Sequence, residues 1–379
     1  MTPQITWFRH SHENRNDLLR FGLMRLHYQG RVRYKELPFS EVGQFGFSKK
    51  IACQKDPRHL SFILVEDGKR NIKCLVDNED SFALITPLIA EVDVSFCAGY
   101  NSDLIEKKQF IRPYSWQRKE DIQWYEEIIE RKIINIGHHF SRIKKFVPIT
   151  TNMGYQLPVQ PVTQKIKNLQ HRINRLLKKS NDFTDDYRGF EIRDEAIRQL
   201  RTNSLEYDIV LNDSLWGWAQ HRINLHTRLK TLSSRGYKIH SKLNWLEPSS
   251  IDGSSIKNID RSVFPILTSE ITDTYELMLS KSRLAVFACG YHWGWRSIMM
   301  LALGIGIPVL TDRLLTEAYF DMNEFHIFQQ EDNEWASVGD ILSNIDENKW
   351  LQWKEHNQRI YDKYMSPEAV ANYFIQSLS

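Results

Sequence analysis

The apolar positions of the first hundred residues fall into short runs of strand length, broken by one clear helical stretch. Ile5 to Arg9 predicts an opening strand, and Asn14 or Asn16 is placed to cap a helix from Asp17 to about Gln29, ended by Gly30. Val32 to Leu37 reads as a second strand. Ser61 to Glu66 and Asn71 to Val76 flank Asp67-Gly68-Lys69, which is a hairpin signal. Phe82 to Ala90 then reads as a helix that carries Pro87, and Val92 to Ala98 as a buried strand. Asp121 to Arg131 predicts a helix and Lys132 to Ile136 a strand. Pro148, Gly154, Pro158 and Pro161 mark a linker, followed by Gln164 to Ser180, a basic helix with Ile166, Leu169, Ile173, Leu176 and Leu177 on one face.

The second half alternates more regularly. Helices over Glu191–Arg201, Gln220–Ser233 and Asp273–Ser280 separate strands at Asp208–Leu211, Tyr237–His240 and Arg283–Ala288, with a loop or short strand at Ser262–Ile266. Gly290 to Gly294 is a glycine-bracketed turn, Trp295 to Leu303 a helix apolar almost all round, Gly304 its stop, and Ile307 to Leu310 the next strand. That order is a βαβ unit, which requires a parallel sheet covered by helices. His326 to Phe328 adds a short strand, and the chain is helical from Trp335 onwards. The pattern divides the chain into an α/β unit over 1–155, a linker and basic helix over 156–186, a Rossmann-like unit over 187–345, and terminal helices over 346–379.

Composition narrows the class. The 379 residues are 41% hydrophobic and 26% charged, as in a soluble globular protein of more than one core. Lys+Arg 50 against Asp+Glu 47 leaves a net charge of +3, which does not mark a specific nucleic-acid binder. The four cysteines have no metal spacing, so reduced thiols in a cytoplasmic protein are expected, with no metal and no cofactor. No signal peptide and no run of membrane-spanning length is expected; peripheral association at the inner membrane face through basic residues stays open.

Candidate chemistry follows from one rule: ligands of an open parallel sheet sit beyond the carboxyl ends of its strands. In the second half those ends deliver Asp213, His240 and Ser241, the segment Gly290, Tyr291, His292, Trp293, Gly294, Trp295, Arg296 and Ser297, and Asp312. A helix start and an arginine fork beside aromatic rings suit a nucleotide whose base stacks and whose phosphates accept hydrogen bonds. Asp213, beside Trp216 and Trp218, reads as a general base, a nucleophile, a sugar-hydroxyl acceptor, or a plain turn cap. In the first half Asp80 reads as a loop carboxylate or, with Ser81, a helix cap. His138 and His139 read as acid/base groups or a surface turn. The P-loop, the Rossmann glycine fingerprint and the hydrolase nucleophile elbow are all absent.

The segment Tyr275-Glu276-Leu277-Met278 to Ser282, with FACGYHWGWRSIMMLALGIGIPVLTD after it, resembles the donor-binding half of GT-B glycosyltransferases of the exostosin-like kind. The resemblance implies two facing Rossmann-like domains, a nucleotide sugar held mainly in the second, and terminal helices that cross back onto the first. The hairpin, the Asp77–Ser81 loop and VDVSFCAGYN also resemble acceptor halves of bacterial surface-polysaccharide transferases. The partners so implied are a nucleotide-sugar donor and a glycan or lipid-linked glycan acceptor, as in lipopolysaccharide or capsule synthesis, with metal-independent transfer in which Arg296 and Asp213 take the catalytic roles. Where related enzymes carry a donor-reading carboxylate, this helix has Arg296 and Ser297, which leaves the donor nucleotide and the stereochemistry open. The alternatives are a nucleotide-sugar epimerase or hydrolase on the same scaffold, and a non-catalytic glycan- or nucleic-acid-binding protein.

Overall fold

A computed structural model of the protein describes residues 2–10, 15–55, 57, 59–79, 81–110, 114–147, 183–215, 217–244, 274–290 and 293–378. The expected linker prolines, the basic helix at 164–180 and the segment at 262–266 lie outside the described residues, as do Asp80, Tyr291 and His292.

The first sheet has the order β2-β1-β3-β4-β5-β6. Its strands are β1 (Gln4–Arg9), β2 (Arg33–Pro38), β3 (Leu60–Glu66), β4 (Asn71–Asp77), β5 (Val94–Cys97) and β6 (Ile143–Lys145). Only β3 runs antiparallel to its neighbours. The β3–β4 turn is the expected hairpin: Gly68 has φ +82°, and Asp67 Oδ1 accepts from the Lys69 and Arg70 N–H groups at 2.9 and 2.8 Å. Among the described residues, the helices α1 (Asp17–Tyr28), α2 (Lys49–Ala52), α3 (Ser102–Ile105) and α4 (Lys119–Ile136) accompany this sheet.

Three local expectations change. Asn16 does not cap α1; it is buried, and its amide donates to Ser61 Oγ at 2.8 Å, tying the β1–α1 connection to β3. Phe82 to Ala90 forms two 3₁₀ turns, Phe82–Leu84 and Pro87–Glu91, since Pro87 lacks the N–H a continuing helix needs and instead opens the second turn. Lys132 to Ile136 is the last turn of α4, because Ile129, Ile133 and Ile136 continue its buried face at helical spacing.

The second half contains α5 (Thr184–Leu200), β7 (Ile209–Ser214), α6 (Ala219–Ser233), β8 (Ile239–Asn244), α7 (Tyr275–Leu279), β9 (Ala285–Phe287), α8 (Ser297–Ile305), β10 (Val309–Asp312), β11 (Ile327–Gln330) and α9 (Ser337–Ser343). Every named strand pair is parallel: β7 with β8, and β10 between β9 and β11. The Arg283 and Leu284 N–H groups donate to the Tyr207 and Asp208 carbonyls at 2.9 and 3.1 Å, joining the two ladders. Helices cover both faces, which is why β9 and β10 are buried throughout. Gly306, at φ +107°, stops α8 and turns the chain into β10.

Two terminal helices, α10 (Glu347–Met365) and α11 (Pro367–Gln376), then cross back to the first unit. Ser366 Oγ caps α11, with Pro367 in its first turn. Packing against α1 is close enough that a Cβ on Gly22 would lie 1.9 Å from the Pro367 carbonyl oxygen. Arg25 adds ion pairs to Glu368 and to Asp194 of α5 at 3.1 and 2.9 Å.

The carboxyl edges of the two sheets face each other. Asn101 Nδ2, after β5, donates to the Leu315 carbonyl at 2.7 Å; Ser102 N–H donates to Glu317 Oε1 at 3.0 Å; Tyr114 Oη donates to the Arg313 carbonyl at 2.7 Å. Lys145, at the end of β6, pairs with Glu317 at 2.6 Å. Leu315, Glu317 and Arg313 all follow β10. Two facing α/β units with terminal helices crossing to the first constitute the GT-B arrangement.

Candidate functional site

The edge of the second sheet is organised by a buried polar network. Asp213, near the end of β7, accepts Arg222 Nη1 on both carboxylate oxygens at 2.7 and 2.6 Å, its own following N–H from Ser214 at 2.8 Å, and Arg296 Nη2 at 2.9 Å. Arg222 lies on α6, nine residues after Asp213, and also donates to the Gly217 and Cys289 carbonyls at 2.9 and 2.8 Å. Burial alone would push the Asp213 carboxyl up, but Arg222 and then Arg296 outweigh it and hold the group well below the usual carboxylate range. One carboxylate between two cations leaves the cluster net positive. A side chain only 1% exposed, with both oxygens occupied, is not placed to take a proton or attack a substrate, so the expectation of Asp213 as base or nucleophile gives way to that of an anchor for two arginines.

Asp312, at the end of β10, is equally engaged. It accepts the Cys289 N–H at 2.8 Å and the Gln330 amide, and faces His221 Nε2 at 3.0 Å, while the other ring nitrogen of His221 lies 2.7 Å from Asn333 Oδ1. The Cys289 peptide therefore joins both networks, its N–H on Asp312 and its carbonyl on Arg222. Asp312 stays at the strand end as expected, but as a structural tie below the surface of the edge.

Between the two tied carboxylates runs the 290–297 segment. Gly290 is required there: its N–H donates to the Gly294 carbonyl at 2.9 Å, and a Cβ would stand 2.6 Å from that same oxygen. The turn delivers Arg296 in extended conformation at the mouth of α8, immediately before Ser297. A pocket at this mouth is lined by Gly294, Trp295, Arg296, Asp312, Arg313 and Tyr114, the last from the first unit. Among the described residues, Arg296 Nη1 and Trp295 Nε1 are buried with no hydrogen-bond partner. His226, one turn after Arg222, has both ring nitrogens in the same condition, and burial pushes it down to about 4. Buried donors without acceptors are uncommon, and here they converge beside a helix N-terminus that itself favours an anion.

Trp293 takes a different part from the one expected. It is 2% exposed, at φ +63°, and sits in an aromatic box of Phe82, Phe110 and Tyr125 from the first unit and Trp218 from the second, at centroid distances of 5.5, 5.9, 4.4 and 5.8 Å. It joins the units and offers no face for a base to stack on. Trp218 and Trp335 also adopt positive φ, at +58° and +56°. Such conformations are costly for bulky residues, on the order of 1–3 kcal/mol each, and persist where the surroundings over-determine them. A stack of Tyr114, Trp116, His221 and Trp335, with spacings of 5.3, 4.2 and 4.9 Å, closes the adjoining side of the cleft.

Other expected residues are not brought to this edge. His240 and Ser241 are the second and third residues of β8, which runs on to Asn244, so they lie short of its carboxyl end; His240 packs on Tyr207 at 5.2 Å. His138 and His139 touch each other at 3.9 Å in the 3₁₀ turn leading into β6, which puts them at the amino edge of the first sheet, opposite the cleft. Arg222, His221, His226, Tyr114 and Trp116 were not singled out from sequence. For Arg222 and His226 there was a signal: they share the buried face of α6 with Leu225 and Leu229.

No protein-family model and no curated protein matches the chain. Among solved structures it is similar to Anabaena HepE in complex with UDP and glucose, at 10% identity and a TM-score of 0.39 over 98% of each chain. It is similar to the sucrose-phosphate synthase of Thermosynechococcus elongatus, at 10% identity and a TM-score of 0.41 over 75% of this chain and 67% of that one. WaaG, a glycosyltransferase involved in lipopolysaccharide biosynthesis, is similar at 15% identity and a TM-score of 0.34 over 74% of each chain. Against two others, the GtfA/B complex and an E. coli trehalose-6-phosphate protein bound with UDP-2-fluoro glucose, the match spans 36% and 49% of those chains.

Proposed function

We propose that the protein is a glycosyltransferase that takes a sugar from a nucleotide donor held at the mouth of α8 and passes it to an acceptor presented by the first unit. The observation that carries this reading is the Arg296 guanidinium: one nitrogen is fixed on Asp213, and Nη1 is buried without a partner beside a helix N-terminus, on an edge that faces a second α/β unit. A diphosphate supplies the missing acceptors. As the bond from the anomeric carbon to the phosphate oxygen breaks, charge builds on that phosphate, and a pre-fixed arginine stabilises it with little reorganisation. Asp213 holds Arg296 in place and Arg222 fixes Asp213 in turn. Transfer of this kind runs without a metal, since the cationic cluster meets the leaving phosphate directly.

A growing cell-surface glycan, lipopolysaccharide or capsule, is the acceptor class the residue resemblance implies, with the cytoplasmic face of the membrane as the place of action. Among the described residues no helix is long and apolar enough to cross a membrane. The test is nucleotide release from a panel of CMP-, UDP-, GDP- and TDP-sugars, with and without a lipid-linked glycan extract. Acceptor-dependent release that falls about 100-fold in Arg296→Ala is expected. Release at full rate without acceptor indicates an epimerase or hydrolase, and unchanged turnover in the variant removes Arg296 from the mechanism.

A further inference from the structure

On the flank of the first sheet a groove opens between the last two turns of α4 and the 3₁₀ turn that begins at Pro87. It is lined by Pro87, Ile128, Arg131, Lys132, Asn135 and Ile136. Its floor is apolar and its polar groups are cations and an amide.

Lys132 is the anomaly within it. Its ammonium donates to the Ile85 carbonyl at 2.7 Å, and no carboxylate of the described residues lies within ion-pair distance. An ammonium carries three donors, so two are unaccounted for. The charged and titratable groups around it are Asp77 at the end of β4, Glu79 just beyond it, Cys97 on β5, and neighbouring Arg131. None closes the gap. Asp77 is itself buried and accepts the Glu79 and Thr86 N–H groups at 3.1 and 2.9 Å, and Arg131 is turned to Glu127 at 3.7 Å. Burial pushes Lys132 down to about 8, against the pull of Asp77 and the others. A half-desolvated cation with no close counter-ion is costly, and the adjoining groove is where a counter-ion would fit.

We propose that this groove binds a phosphate group carried on an apolar body, with Lys132 as the principal contact, Arg131 and Asn135 as further donors, and Pro87, Ile128 and Ile136 against the apolar part. Two cations and an amide lining one groove suit a phosphate oxyanion, and the apolar floor suits what it is attached to. The site stands apart from the α8 pocket and does not depend on the reading of that pocket.

The experiment is calorimetric titration of the whole protein at pH 8 with inorganic phosphate and, separately, octyl phosphate below its micellar concentration. Each is run in two buffers of different ionisation enthalpy. Binding completes the ion pair and favours the protonated Lys132, so net proton uptake on binding is expected at pH 8. Lys132→Met should weaken binding about 10-fold or more. Lys132→Arg should keep the affinity and take up no proton, because arginine is already charged. Tighter binding of octyl phosphate than of inorganic phosphate is expected, and equal binding of the two would overturn the apolar part of the site. No binding of either probe, full affinity in Lys132→Met, or proton uptake that persists in Lys132→Arg overturns it.

Discussion

Asp213 and Arg222 show how a residue's chemistry is settled by what faces it. A carboxylate at a strand end beside tryptophans has the sequence context of a catalytic group, and the same context holds an anchor once an arginine arrives from the next helix. Removing the anion leaves two buried cations facing each other. Asp213→Asn is therefore expected to cost about 3–5 kcal/mol in urea unfolding at neutral pH. Because the folded carboxyl is held below its unfolded value, its contribution is complete above the unfolded carboxylate range and is lost as the pH falls below that range. The gap between wild type and Asp213→Asn should close as the medium is acidified; a variant within 1 kcal/mol of wild type at neutral pH would show that the arginines need no anion. This partnership was not legible beforehand, since Asp213 and Arg222 become neighbours only when α6 folds back on β7. The glycine at 290 was legible as a turn, and its role in letting the backbone approach the Gly294 carbonyl was not.

At the scale of elements, sequence pattern succeeded where one rule acted alone. The Asp67-Gly68 hairpin follows from local backbone chemistry; the stop of α8 was expected at Gly304, which lies inside the helix, and falls two residues later on Gly306, the glycine that takes the left-handed conformation. Pattern failed where tertiary packing decided. The stretch Lys132 to Ile136 reads as a strand from its β-branched residues, but Ile133 and Ile136 have a helical surface to cover. His240 reads as a strand end because Ser241 and Lys242 after it are polar, yet Ser241 is buried and the in/out alternation continues through Lys242 and Leu243. The mid-helical Gly22 had no local reason at all. It exists because α11 arrives 345 residues later, Pro367 lying against it. Gly22→Ala should force α11 off α1 or push the helices apart, at a cost of about 2–4 kcal/mol despite alanine's better helix propensity. Faster proteolytic clipping near Ser366 would report the undocked helix; a stabilised variant would mean that α11 yields easily.

For the whole molecule, the arrangement of two units with their carboxyl edges opposed was foreshadowed by the alternation of strands and helices and by the resemblance at Ser282–Asp312. The closed aromatic contact between the units was not, because Trp293, Phe82 and Tyr125 are distant in sequence. That contact positions the α8 mouth against the first unit. A nucleotide sugar held at this mouth, binding only the folded state, would raise the melting temperature. The most direct measurement is a thermal-shift series with CMP-, UDP-, GDP- and TDP-sugars on the wild type and Arg296→Ala. One nucleotide class should raise the wild-type Tm by about 2–5 °C at saturating concentration and leave Arg296→Ala unmoved. Equal shifts in both proteins, or no shift with any donor, would contradict the account.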